Sequence, residues 1–135
     1  QNGFVSVALS EPHGCLCEPD ATILRAGLVQ DLAESLDGTM LDTTIAYFCT
    51  KRATNSSWVR AWKIRDWLPF NLKKLRAKLR EMDIGTLTVK KRGSPIMPED
   101  LIRKLKLKGS KSATVVLTRY DGAPIAIICD DIDVG

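Results

Sequence analysis

The stretch PFNLKKLRAKLREMDIGTLTVKKRG, Pro69 to Gly93, contains the change of rhythm on which the fold turns. Its first part repeats apolar residues at helical spacing. Leu72, Leu75, Leu79 and Met82 fall on one stripe, and Asn71 is placed to cap the amino-terminal end. From Thr86 the period drops to two, Leu87 and Val89 alternating with Thr86 and Thr88, which predicts a strand over 86–92. The strand runs out on three adjacent cations, Lys90, Lys91 and Arg92, before Gly93.

Working outward, WVRAWKIRDW (58–67) reads as a preceding strand. MPEDLIRKLKLKG (97–109) reads as a second helix with Pro98 in its first turn and Gly109 as its stop. SATVVLTRY (112–120) and APIAIICD (123–130) are strands joined across Asp121-Gly122, a hairpin signal. The order β-α-β-α-β-β over 58–130 predicts an α/β (α+β) fold, a small mixed β-sheet with both helices packed on it and right-handed first crossovers. Upstream, CEPDATILRAGLVQDLAESLDG (17–38) predicts one helix, with Pro19 in its first turn and Ile23, Leu24, Leu28, Leu32 and Leu36 as its apolar stripe. A strand over 44–51 and a polar loop follow. A boundary is expected near 52–57, with a helix–strand subdomain over 14–52 before the module at 58–130.

The charge divides along the same lines. Residues 1–50 carry one cation against seven acids, residues 51–119 carry 19 Lys/Arg against five acids, and the tail from Tyr120 carries four Asp and no cation. A concentrated basic middle attracts polyanions, at a cost in self-repulsion. In the helix over 71–83, Lys73, Lys74, Arg76, Lys78 and Arg80 cover most of the solvent face. Lys73 and Lys74 stand at the second and third positions, where the helix dipole is positive and an acid is normally preferred. That misplacement points to ligand binding. The helix over 98–107 follows the usual arrangement, acids first and cations last, and is left undecided.

Strand alternation continues Lys90 and Arg92 on the polar face of Thr86 and Thr88, and a basic strand end flowing into Gly93 suits phosphate oxygens. In WVRAWKIRDW, three indoles lie among cations. Large aromatics on a strand are mostly core, so Lys63 and Arg65 are the better binding candidates there.

Other chemistries find no support. His13, Cys15 and Cys17 lack a second Cys/His pair at zinc spacing, so no metal site is expected, and the thiols read as buried strand residues. No nucleophile–base pattern indicates catalytic residues, and no glycine-rich strand–helix turn indicates a bound nucleotide or S-adenosylmethionine. The four sparse cysteines read as reduced thiols of a cytoplasmic protein, and no apolar run approaches the ~20 residues of a membrane span. Because the chain opens on Gln1, it is expected to be an excised domain or a processed product.

The segments EPDATILRAGL (18–28), IAYF (45–48), WLPFNLKKLRAKLREMDIGTLTVKKRG (67–93) and DLIRKLKLKGSKSATVVLTR (100–119) resemble the THUMP-like domain. That domain is the carboxy-terminal part of a bacterial family of class I S-adenosylmethionine-dependent methyltransferases. The resemblance covers roughly 14–129, and residues 1–13 would be the join to an upstream catalytic domain. It implies a non-catalytic RNA-binding role, holding tRNA or rRNA for that domain, where the cofactor would sit. The alternative it leaves open is a structural domain that docks on the methyltransferase part without touching RNA.

Overall fold

The computed structural model describes residues 7–54 and 56–133. In chain order the elements are β1 (Cys15–Pro19), α1 (Ala21–Ala26), α2 (Val29–Ser35), β2 (Thr39–Met40), β3 (Phe48–Thr50) and β4 (Val59–Pro69), then α3 (Leu72–Glu81), β5 (Ile84–Lys91), α4 (Pro98–Leu105), β6 (Lys111–Tyr120) and β7 (Ala123–Asp133). The strands form one mixed seven-stranded sheet in the order β2-β3-β1-β4-β7-β6-β5. The chain divides into two compact units: residues 1–64 with 132–135, and residues 65–131.

The second unit follows the predicted pattern. Leu75 and Leu79 of α3 and Leu101 and Leu105 of α4 are buried in one core with Ile84 of β5, Val115 and Leu117 of β6, and Ala126 and Ile128 of β7. Burying such a side chain contributes about 1.5–3 kcal/mol, so the two narrow stripes suffice to hold both helices on the sheet. β5 pairs with β6 in parallel, from Ile84↔Lys111 to Lys91↔Leu117, and β6 pairs with β7 antiparallel across Asp121-Gly122. Asp121 and Gly122 both have positive φ (46° and 86°), the geometry of the tight hairpin turn that the sequence signals.

In the first unit two expectations are corrected. The helix predicted over 17–38 is two helices broken at Gly27, which adopts φ 70°. Its N–H bonds back to Ile23 and Leu24, and Leu28 N–H bonds to the Ile23 carbonyl 3.1 Å away, which closes α1 as a left-handed cap. Past the break Val29, Leu32 and Leu36 pack on the core around Ala33, Met40 and Phe48, whereas Leu28, expected on the apolar stripe, is exposed because the chain turns at Gly27. Pro19 ends β1 instead of starting the helix, and Asp20 is the cap, its Oδ1 accepting from Thr22 N–H at 2.7 Å. The strand predicted over 44–51 shrinks to Phe48–Thr50, flanked by β1 and the two-residue β2.

All four cysteines are buried and none is in a disulfide, and Cys15 and Cys17 lie on β1 as expected. Desolvation pushes the Cys17 thiol up to about 11 and the Cys49 thiol up to about 12. Both should therefore resist iodoacetamide at pH 8 in the folded chain and react on unfolding, since only the thiolate is nucleophilic. Mass spectrometry showing rapid native-state labelling of either would contradict this placement. Among the described residues no helix is long and apolar enough to cross a membrane.

Candidate nucleic-acid interface

Strand direction fixes which cations can act together. β6 ends where β7 begins, β5 runs parallel to β6, and Phe70 N–H, just past β4, bonds to the Pro124 carbonyl at the start of β7. The ends of β4, β5 and β6 therefore share one end of the sheet in the second unit. α3 starts from that end immediately after β4, and α4 starts from it after β5. Lys73 and Lys74, in the first turn of α3, thus belong to the same end as Lys90, Lys91, Arg92 and Gly93. Arg80, in the last turn of α3, lies ~12 Å down the helix axis from Leu72, given a rise of about 1.5 Å per residue.

Local bonding shapes this end. Asn71 caps α3, its Oδ1 accepting from Lys74 N–H at 2.9 Å, and no acid occupies the first turn. Lys73 and Lys74 are exposed beside the positive end of the helix dipole, where nothing within the helix offsets them. Pairing of β5 extends to Arg92, whose N–H donates to the Leu117 carbonyl at 2.9 Å, and Gly93 then turns the chain with φ 79°. Lys91 is exposed, its Nζ 3.7 Å from Met97 Sδ, while Lys90 and Arg92 are half-buried on the face of Thr86 and Thr88. The alternation read from the sequence is therefore the one observed.

The remaining predicted residues have other neighbours. Arg76 reaches across to α4, where its Nε donates to the Leu105 carbonyl at 3.2 Å and its Nη2 to the Lys104 carbonyl. Arg80 Nη2 donates to the Lys106 carbonyl at 3.3 Å. These are the carbonyls that a helix end leaves without partners, so the two arginines cap α4 as cations at its negative pole. Replacing Arg76 with Ala should cost about 1–2 kcal/mol through loss of charged hydrogen bonds. Arg76→Lys should recover only part of it, because an ammonium lacks the fork that spans two carbonyls. Urea denaturation measures both, and an Arg76→Ala chain as stable as the native one would refute the capping role.

Lys78 pairs with Asp66 at 2.6 Å, and Arg65 pairs with Asp130 at 3.0 Å. The hydrogen bond to Lys78 lowers the Asp66 pKa, and the same contact raises that of Lys78. A depressed carboxyl stabilises the fold above its unfolded value and stops doing so as pH falls through its folded value. A raised ammonium stabilises below its unfolded value and stops as pH rises through its folded one. Asp66→Asn should therefore lower the urea midpoint slightly at neutral pH, with the difference vanishing below pH ~3 and again at strongly alkaline pH. A difference that persists at pH 2 would assign the effect to packing.

Lys63 lies in the first unit, exposed on β4. Of the indoles, Trp62 is buried with Arg60 stacked 5.1 Å above its ring, Trp67 meets Tyr120 edge-on, and Trp58 is exposed. Lys104, Lys106 and Lys108, late in the helix that the sequence leaves undecided, are exposed at the far end of α4, where cations satisfy the helix dipole. Among the described residues no group of three or more His, Cys, Asp or Glu is placed to hold a metal ion.

A family model described as THUMP domain-like matches residues 59–131. Two relatives in Mycobacterium tuberculosis, from strains CDC 1551 / Oshkosh and ATCC 25618 / H37Rv, are both named as uncharacterized S-adenosylmethionine-dependent methyltransferases. Each is 34% identical over 124 residues, covering 86% of this chain and 34% of the relative. The chain thus spans about a third of the length of the curated relatives it matches. The crystal structure of a candidate methyltransferase from Porphyromonas gingivalis W83 shares the fold with a TM-score of 0.71, at 17% identity over 93% of this chain and 31% of that one.

Proposed function

This chain belongs to the THUMP domain-like family, and from that premise we propose that it is the RNA-binding module of a methyltransferase, holding tRNA or rRNA for a catalytic domain elsewhere in the full protein. The observation that carries the reading is the gathering of Lys73, Lys74, Lys90, Lys91 and Arg92 at one end of the second unit. Two of these sit where the helix dipole opposes them. Lys73 and Lys74 cost the helix stability at that position, and a row of phosphates would offset it. Phosphate contacts fix position on a nucleic acid without reading sequence, so choice of target falls to RNA shape and to the catalytic domain.

The residues here do not suit S-adenosylmethionine. The two strand-to-helix turns of the second unit read Pro69-Phe70-Asn71 and Arg92-Gly93-Ser94-Pro95-Ile96-Met97, with no glycine pair to let a cofactor approach the backbone. The chain is proposed to carry no cofactor and no catalytic residue of its own, and calorimetry should register no stoichiometric uptake of S-adenosylmethionine.

The test is a fluorescence-anisotropy titration of single-stranded RNA between 50 and 200 mM salt. About four phosphate contacts at ~0.7 each predict a log–log slope near −3. Binding without salt dependence, or no binding at 50 mM salt, would sink the proposal and favour a docking role.

A further inference from the structure

The cations that close β5 do not share one face of the sheet. Leu87 and Val89 pack on the core beneath α3 and α4, so Lys91, next in that row, belongs to the helix side. Lys90 and Arg92 stand on the opposite face. The parallel register sets Lys90 against Val116 of β6, and the Arg92 N–H bond to the Leu117 carbonyl sets Arg92 against Thr118. Ala113, Val115 and Leu117 face the helices, so Thr118 and, two residues on, Tyr120 lie on the face of Lys90 and Arg92. At about 3.3 Å per residue and 4.8 Å between strands, the Tyr120 backbone lies only ~8 Å from that of Arg92. Two long side chains can meet one ligand across that distance.

Tyr120 has an aromatic neighbour there. The Trp67 ring, near the end of β4, meets it with centroids 6.0 Å apart and planes at 78°. Leu68 and Phe70 pack on the helix-side core, which leaves Trp67 to the other face, and neither Trp67 nor Tyr120 belongs to that core. Both rings are half-buried, held at one side and open at the other. Among the described residues the Trp67 indole N–H and the Tyr120 hydroxyl make no hydrogen bond within the protein. Indoles and phenols that belong to a core normally find such a partner, so these polar ends are available to a ligand. Asp121 follows in the hairpin turn and would repel a phosphate, which assigns the anion to Lys90 and Arg92 and not to the turn. All of these residues lie in the second unit.

We infer that Trp67 and Tyr120 form a stacking platform for an unpaired base, whose phosphate Lys90 and Arg92 hold. The inference rests on the RNA-binding reading and narrows it to single-stranded segments. A duplex turns phosphates, sugars and base edges outward, whereas an unpaired nucleotide offers the face of its base to an aromatic ring. Every base has such a face, so the platform selects unpaired RNA without reading its sequence. The triplet at the end of β5 thus divides its work. Lys91 acts on the helix side with Lys73 and Lys74, and Lys90 and Arg92 act beside the rings.

The test is a set of anisotropy titrations at low salt with three ligands: a short unstructured oligoribonucleotide, the same oligomer annealed to its complement, and an abasic oligomer of equal length. The abasic strand keeps every phosphate and loses every base. The native chain should bind the unpaired oligomer about tenfold more tightly than the abasic one, and more tightly than the duplex. Replacing Trp67 and Tyr120 together with Leu should erase the preference for bases and leave the log–log salt slope unchanged, because no phosphate contact is lost. Replacing both with Phe, which keeps the rings, should retain the preference. Equal affinity of the native chain for the normal and abasic strands overturns the platform, whatever the variants do. So does tighter binding of the duplex, or a preference that survives in the double Leu variant. Failure of all three ligands to bind is a different result, which overturns the RNA-binding reading and the platform with it.

Discussion

A Gly85→Ala chain is expected to lose about 3 kcal/mol of stability, at the upper end for forcing one carbon into a packed site. The added Cβ would lie 1.9 Å from the Gly109 carbonyl oxygen and 2.7 Å from the Gly109 carbonyl carbon and nitrogen. Gly109 cannot retreat, because its own side is equally close: a Cβ there would lie 2.2 Å from the Asp83 carbonyl oxygen. Asp83 is itself held in place. Ser110 donates to its carboxylate from both N–H and hydroxyl, and Lys111 N–H donates to its carbonyl at 2.9 Å. This contact sits where β5 shifts register against β6, between Ile84 and Thr86. Gly27→Ala provides the control, since its Cβ would meet nothing within 4 Å and only its φ of 70° resists the change. It should cost about 1 kcal/mol. Urea denaturation of both chains makes the comparison, and a Gly85→Ala loss no larger than that of Gly27→Ala would show that the two backbones can part.

The second large effect is on RNA. Replacing Lys90, Lys91 and Arg92 together with Ala should weaken binding at least about tenfold at low salt, for every sequence alike, and bring the log–log slope from near −3 to near −1. Lys73 and Lys74, at the same end of the unit, would supply what remains. The matched control is Lys104, Lys106 and Lys108 replaced with Ala, which removes the same charge from the far end of α4 and should alter the slope much less. Equal losses in the two triple variants would mean that RNA responds to net charge and not to this end. Unchanged RNA binding in the first variant would leave the strand end as a protein-docking feature.

The second unit was legible because its determinants are local. Each helix carries a narrow stripe, Leu75 with Leu79 and Leu101 with Leu105, and Asp121-Gly122 dictates its turn. In the first unit the decisive features are either small or distant. A single residue, Gly27, splits the predicted helix and leaves Leu28 outside the core, and the order β2-β3-β1-β4 is set by pairing between remote segments. The site divides similarly. Lys73, Lys74 and the triplet 90–92 announced themselves by standing where dipole and self-repulsion disfavour them. That Arg76 and Arg80 cap α4 follows from how two helices pack, which no charge pattern records. Lys51 passed as the end of a strand and Arg52 as part of a polar loop, because their proximity to Lys63 exists only once β1 lies between β3 and β4.

Among the described residues β5 is the last strand of the sheet, and one side of its backbone has no neighbouring strand to pair with. Such a border is a template on which another chain can grow a strand, and lysines there keep it from doing so. Lys90 and Lys91 close β5 on that border, next to the exposed Thr86 and Thr88. The cations that would hold RNA thus also guard against self-association. Stripping them should expose the chain to concentration-dependent oligomers in light scattering, and a loss of RNA affinity is attributable to lost phosphate contacts only at concentrations where the variant stays monomeric.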